Sequence, residues 1–366
     1  KEVKLDMNSI EELLSGKRVL ITGAGGSIGS ELVQQCLLFK PSEIICMDYD
    51  EEKIFEIMAI NEALRTNTII KPVLGDINQQ NQVEKVFIEN RPQIVFHAAA
   101  YKHVPIQETH PWTAVRTNIG GTLGLLELAN KYKTKKFVLV STDKAVNPVN
   151  VMGATKRIAE ILIQTMNSQS DTEFLAVRFG NVMGSSGSAI PIFEKQIKNG
   201  GPVTVTHPEM TRYFMSIQEA SQLILQSGAI GNGGEIILLE MGEPIKIDQL
   251  ARDLIKLSGL EPGKDIPIVY SGLRPGEKLY EELQYLDEKL LSTSHKKIMI
   301  LKDRAEKLSW NDLKLKIDNL IITAENLDAD KIQMQLKELL PRYTPRTFMP
   351  ISSDDRYSSY EIKGEA

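Results

Sequence analysis

Only two cysteines, Cys36 and Cys46, occur among the 366 residues, each inside an apolar-periodic segment. That excludes a disulfide framework, and both thiols are expected to be buried in a reducing compartment. Histidine is also sparse, and His97, His103 and His110 fall at spacings too irregular for a metal centre, so no metal is expected. Positive charge shows no surplus: 43 lysines and arginines face 48 aspartates and glutamates, for a formal charge of −5. A chain-wide basic footprint for nucleic acid is therefore missing, although a local basic pocket for a diphosphate is not excluded. No apolar run approaches the roughly 20 residues that span a bilayer, and no signal peptide opens the chain. Internal repeats are absent. The first residue is Lys1 rather than Met, which reads as a trimmed or processed chain.

What is present is the composition of an α/β protein, 42% hydrophobic and 25% charged, long enough for a large core. Short β-branched runs at 18–22, 43–48, 69–74, 93–97, 136–141 and 173–178 read as buried strands. Helical patterns at 27–38, 51–65, 79–90, 112–132 and 151–167 alternate with them. Such alternation predicts a doubly wound parallel sheet with right-handed crossovers, covered on both faces. After Phe179 the texture shifts to Gly/Ser/Pro-rich loops with short elements at 189–198, 203–206, 217–226, 235–239 and 247–258. The expected organisation is a lead-in over 1–16, a nucleotide-binding domain over 17–180, and a smaller α/β lobe over 181–300 that returns a strand to the main sheet. A helical extension over 301–366 follows, with Ser309 as N-cap of a helical stretch to Leu340 and a Pro/Ser/Tyr-rich tail from Pro341. The basic cluster at 131–136 reads as a solvated face.

The sharpest local signal is RVLITGAGGSIGSEL. Gly23, Gly26 and Gly29 follow a strand and open a helix, the Rossmann arrangement. The first glycine permits the tight turn, the second lets backbone approach a pyrophosphate, and the third lets helix and strand pack closely. Ser27 and Ile28 sit where the helix offers its first N–H donors. Asp48 ends the next strand, nineteen positions beyond Gly29, where a carboxylate accepts the adenosine ribose hydroxyls and repels a 2′-phosphate; NAD is favoured over NADP. Asp76 and Ile77 follow the third strand, with Asp76 placed either for the adenine amino group or as a helix cap. Ala98, Ala99 and Ala100 end the fourth strand, small enough for a flat cofactor to lie on backbone.

The ordered set TGAGGSIG, HAAAYKHVP, STDKA, MGATK, RFGNV and RPGEKLYEEL, from about Lys17 to Leu283, resembles the extended short-chain dehydrogenase/reductases. More narrowly it is similar to the nucleotide-sugar 4,6-dehydratases of bacterial polysaccharide and protein-glycan synthesis, in the large membrane-anchored branch acting on UDP-N-acetylglucosamine. The resemblance implies NAD(P) bound throughout turnover. It also implies a membrane anchor only through an N-terminal region not included here, with the enzyme domain on the cytoplasmic side. Most of the superfamily carries Tyr-x-x-x-Lys, the lysine one turn from a tyrosinate base. Here the run is Met152-Gly153-Ala154-Thr155-Lys156, and a thioether is no proton base. That departure is shared by the large branch.

Replacement groups stand at Ser141-Thr142-Asp143-Lys144, after the fifth strand. By this analogy Asp143 is the acid at the 6-hydroxyl, Lys144 the base at C5, and Thr142 the contact to the 4-hydroxyl. Ser141 and Lys156 are placed on the cofactor. In water a neighbouring aspartate and lysine hold each other ionised, the wrong pair of states, so the site must be dry. Lys102 and His103 are expected to border the nicotinamide and sugar, with Phe179 at the nicotinamide amide through its backbone and Asn181 at the diphosphate or sugar. Thr204, Val205 and Thr206 are expected to meet uracil, Arg212 and Arg274 the diphosphate, and Glu277 the uridine ribose. The alternatives are a C5-inverting dehydratase, a UDP-sugar epimerase, and a catalytically inactive NAD-binding regulator. The superfamily pairs through a four-helix bundle, so a homo-oligomer built on the helices at 112–132 and 151–167 is expected.

Overall fold

The computed structural model describes residues 4–63, 67–302 and 309–345, with no side-chain detail for 60–63. Nine strands form one sheet: β1 (Arg18–Thr22), β2 (Glu43–Asp48), β3 (Ile69–Leu74), β4 (Ile94–His97), β5 (Lys136–Val140), β6 (Glu173–Arg178), β7 (Ile236–Leu239), β8 (Lys289–Ser292) and β9 (Ile298–Lys302). Their spatial order is β8-β9-β7-β6-β5-β4-β1-β2-β3. The seven from β3 to β7 are parallel, and the β8–β9 hairpin adds antiparallel to β7. Central strands such as VLIT and EIICMD are buried on both faces, which is why they read as unbroken apolar runs. β3 has only β2 as neighbour, and the edge tolerates both Pro72 and the exposed Ile69. The hairpin was not expected from the sequence: KLLS is exposed throughout and carries no period-2 burial.

Chain order reverses between β1 and β4, the switch point where a doubly wound sheet opens a crevice at its carboxyl edge. One face of the sheet packs the helices Gln80–Asn90, Thr122–Lys131 and Val151–Asn167; the other packs Ser27–Leu37 and Ile217–Ile230, with the short helix Met7–Leu14 joining them. A separate small core of Phe193, Val203, Val205, Ile247, Ala251 and Ile255 holds the smaller lobe.

The stretch expected as one helix over 112–132 is helical from Pro111 to Lys131 but widens into a π-helical turn at Val115–Gly121. Ser309 does cap a helix, accepting from the Asp312 amide at 3.2 Å, yet the helical stretch breaks in two, Trp310–Glu325 and Ala329–Leu339. Asp328 caps the second by accepting from Lys331 N. Leu313, Ile317, Leu320, Ile332, Leu336 and Tyr343 from this region join Val115, Ile119, Ile158 and Ile161 in one core. This region thus packs on the helices at 112–132 and 151–167, and every residue from Val151 to Ile163 is buried. Of the expected tail, Tyr343 is fully buried and Thr344 N donates to Pro148 O; residues from 346 on, like Leu64 and Arg65 of the second expected helix, lie outside the described residues.

Candidate active site

Gly23 turns with φ +69°, and a Cβ there would fall 2.6 Å from Ala99 N. A Cβ on Gly29 would fall 2.0 Å from the Gly23 carbonyl oxygen, so loop, helix and the 98–100 backbone close on one another only because both are glycine. The Ser27–Leu37 helix has Gly26 as its N-cap and no side-chain cap, leaving its first N–H groups for an anion. Asp48 Oδ2 accepts from Gly25 N at 2.8 Å and Oδ1 from Asp50 N at 3.1 Å, which fixes the carboxylate at the cleft wall. Asp76 Oδ1 accepts from the backbone and side chain of Asn78. The cleft is lined by Gly23, Gly26, Asp48, Asp76, Ile77 and Ala98–Ala100, together with Tyr49, Asn78, Thr117 and Ser186, which the sequence did not suggest. Ser27 and Ile28 sit beside it in the helix's first turn, and Ser27 Oγ accepts from Ser186 N at 3.2 Å. A glycine cradle that any Cβ would fill, an uncapped helix start and a carboxylate nineteen residues on together fit a dinucleotide.

Lys156, on the Val151–Asn167 helix, is buried. Burial pulls its pKa down to about 8, with Glu160 opposing. His97 is a structural histidine, its ring held between Thr22 Oγ1 and Thr122 Oγ1, and burial with Lys156 nearby keeps it neutral down to about pH 3. Met152 is buried in the first turn of the same helix.

Residues 143–145 form a single 3₁₀ turn after β5, capped by Thr142. Asp143 is 0% exposed. Its Oδ1 accepts from Thr142 Oγ1 at 2.9 Å and from Lys144 Nζ at 2.9 Å, while Oδ2 is buried with no partner. Lys144 Nζ donates also to Asn181 Oδ1 at 2.9 Å, and its side chain is 17% exposed. Acid, amine and amide thus converge in a largely dry corner, and Phe179 O accepts from Asp143 N to hold the turn against β6.

The clamp on this turn is the segment 276–288, within which the sequence singled out only Glu277 as a site residue. Asn150 ties it to the helix start, accepting from Gly153 N at 2.6 Å and donating to Gly276 O at 2.8 Å. Lys278 Nζ donates to Val146 O and Tyr285 Oη to Ala145 O. Glu281 lies 3.9 Å from Lys144 Nζ. Beneath, Ser141 Oγ donates to Glu160 Oε1 at 2.6 Å, and Arg178 grips both Glu160 oxygens with neither side chain exposed. Burial alone would raise the Glu160 pKa; Arg178, Arg157 and Ser141 overrule it and keep it below the usual carboxylate range.

Other expected substrate residues are spread differently. Lys102 and His103 lie on the exposed lip after the alanines, where partial desolvation lowers both pKa values, and His103 packs so close to Gly187 that a Cβ there would fall 2.5 Å from its ring. Val203–Val205 pairs in parallel with Ile268–Tyr270, and Thr206 follows it, half-buried. Arg212 is buried, its guanidinium donating to the carbonyls of Thr211, Lys278 and Leu279. Arg274 is exposed, and Glu277 Oε2 accepts from Arg274 N. No cluster of metal-binding side chains occurs among the described residues, and none of their helices is long and apolar enough to cross a membrane.

Residues 19–303 match the family described as polysaccharide biosynthesis protein. The chain belongs to that family, on the short-chain dehydrogenase/reductase type of Rossmann fold. It is 53% identical over 283 residues to the capsular polysaccharide biosynthesis protein CapD of Staphylococcus aureus, covering 77% of this chain and 47% of that protein. The chain thus spans about half the length of that relative. It is 34% identical over 286 residues to an inverting UDP-N-acetylglucosamine 4,6-dehydratase of Campylobacter jejuni, covering 76% and 81%. A UDP-glucose 4-epimerase of Rickettsia bellii is 37% identical over 278 residues, covering 74% and 79%. Among solved structures, Pen from Bacillus thuringiensis superposes with a TM-score of 0.73 at 36% identity, covering 81% and 91%.

Proposed function

We propose that this chain is an NAD-dependent UDP-N-acetylglucosamine 4,6-dehydratase that retains configuration at C5. The observation that carries the reading is the buried Asp143–Lys144 pair beside a helix that bears Met152 where the superfamily's tyrosine stands, with Lys156 one turn on. An epimerase returning hydride to C4 needs a base for one hydroxyl and has no use for a buried acid beside an amine.

Gly23, Gly26, Gly29, Asp48 and Ala98–Ala100 would hold the cofactor, with Lys156 on its nicotinamide ribose. A bound nicotinamide would supply the hydride acceptor for C4 and the hydride donor for C6. The 4-hydroxyl proton passes to Thr142 Oγ1 and on to Asp143 Oδ1, already hydrogen-bonded at 2.9 Å. Lys144, as an amine, removes the C5 proton acidified by the 4-ketone, while Asp143, as an acid, protonates the departing 6-hydroxyl so that water leaves. Lys144 then returns its proton to C5 from the face it took it, which preserves configuration. Asp143 thus ends as the carboxylate it began as, because the proton it took from the 4-hydroxyl has left with the water. Asn181, which accepts from Lys144 Nζ, orients the amine. Arg212, spent on backbone carbonyls, positions segment 278–281, and Arg274 is the guanidinium open to a diphosphate.

Incubation with UDP-N-acetylglucosamine tests this directly. The expected product is lighter by one water, bears a 4-keto group and carries one solvent deuterium at C5 when formed in D₂O. Lys144→Met should abolish that exchange. An epimer of unchanged mass, or no turnover with UDP- and dTDP-sugars, would overturn the reading.

A further inference from the structure

One buried acidic group in the site has no task in this chemistry. Glu281 has a side chain only 4% exposed, with Oε1 3.9 Å from Lys144 Nζ and 3.8 Å from Arg212 Nη2. Neither distance is a hydrogen bond, and Oε2 is buried without any partner. Arg212 spends its donors on carbonyls, and Lys278 spends its ammonium on Val146 O and Glu282. A buried carboxylate anion lacking donors is costly, whereas the protonated acid is not.

Resting on the dehydratase reading, we propose that Glu281 keeps its proton during turnover, and that this neutrality lets Lys144 act as an amine. An ionised Glu281 would place a second anion near Nζ, beside that of Asp143, and hold the ammonium in its charged state. With Glu281 neutral, Lys144 faces one carboxylate and rests as an amine, and the 4-hydroxyl proton relayed through Thr142 Oγ1 turns that carboxylate into the acid, 2.9 Å from the amine nitrogen. Elimination then moves the C5 proton onto Lys144 and the Asp143 proton onto the leaving oxygen, so charges reform only as water departs. Glu281 neither gains nor loses a proton in the cycle. It is a positioning residue, acting through Lys144.

The charged groups facing Glu281 are Lys144 and Asp143 from the catalytic turn, Arg212 from its short strand and Lys278 from its own segment. Burial raises the Glu281 pKa first and Asp143 adds to that, while Lys144, Arg212 and Lys278 pull it down; the net direction is upward. As pH climbs through that raised value Glu281 ionises and turnover should fall.

The test is the pH dependence of kcat for dehydration by the whole chain, with NAD and UDP-N-acetylglucosamine, in the parent and in Glu281→Gln. The glutamine is neutral at every pH, so the alkaline limb should move up by at least about one pH unit and C5 deuterium exchange should persist beyond the parent's limit. A superimposable limb would overturn the proposal. So would a variant inert at every pH that still binds the UDP-sugar, because a carboxylate would then be required. Glu281→Met, neutral and of similar volume, repeats the measurement if the amide disturbs folding. Failure of the dehydratase reading looks different: the parent chain itself forms no 4-keto product.

Discussion

Gly153 lies so close to Lys144 that an added Cβ would fall 2.2 Å from the Lys144 carbonyl oxygen. The helix bearing Met152 and Lys156 is thus seated directly on the 143–145 turn, through a residue that has no side chain to spare. Gly153→Ala must push the two apart. We expect destabilisation of about 1–3 kcal/mol from overpacking, and a loss of kcat larger than the loss of substrate affinity. Thermal unfolding and steady-state kinetics on one preparation check both; a variant with parent kcat would show that the contact has slack.

Asp48 carries its charge at the cleft wall while two backbone amides, Gly25 and Asp50, point at it. Asp48→Asn keeps the shape and one acceptor but removes the repulsion of a 2′-phosphate. The ratio of NAD to NADP affinity should fall by about tenfold, measured by titration with each cofactor.

Lys156 should destabilise the cofactor-free fold at neutral pH. Its folded pKa, about 8, lies below the ordinary 10.5, so the unfolded chain binds the proton more tightly. The penalty is complete below about pH 8 and fades as pH rises toward about 10.5. Lys156→Met should therefore be more stable than the parent at pH 7, by an order of 1–3 kcal/mol, and lose that advantage near pH 10. The same variant should bind NAD more weakly. Denaturant unfolding at both pH values tests the sign.

Under the turn, Arg178 and Glu160 are both fully buried and bonded through two nitrogens. Arg178→Met leaves the buried carboxylate to Arg157 and Ser141 and should cost about 3 kcal/mol. Pairing it with Glu160→Met should recover much of that loss. Urea unfolding of the two single variants and the double gives the coupling, and strict additivity would argue against the pair acting as a unit.

Much of this architecture was legible in the residue order. The parallel strands announce themselves as β-branched runs because both of their faces are covered, and the glycine loop because its backbone has nowhere to put a Cβ. Asp143 and Lys144 were legible by position after β5. Glu160 was not: it sits on a helix, where a lone glutamate reads as solvated, and only the arrival of Arg178 from β6 eighteen residues later buries it. Glu281 was hidden among its neighbours, since RPGEKLYEEL offers three glutamates and nothing in the spacing says which one turns toward Lys144. Ser309 as a cap was local chemistry and readable; which surface the helices after it cover is a long-range fact that amphipathicity does not encode. The β8–β9 hairpin likewise lacks the alternation that identifies a half-buried pair.

Those last helices carry a consequence for the core they close. Leu313, Ile317, Leu320, Ile332 and Leu336 share one apolar cluster with Ile119, Ile158 and Ile161. Clipping the chain ahead of Trp310 would therefore leave an oily seam open to water, and the shortened chain would be prone to stick to whatever apolar surface it met.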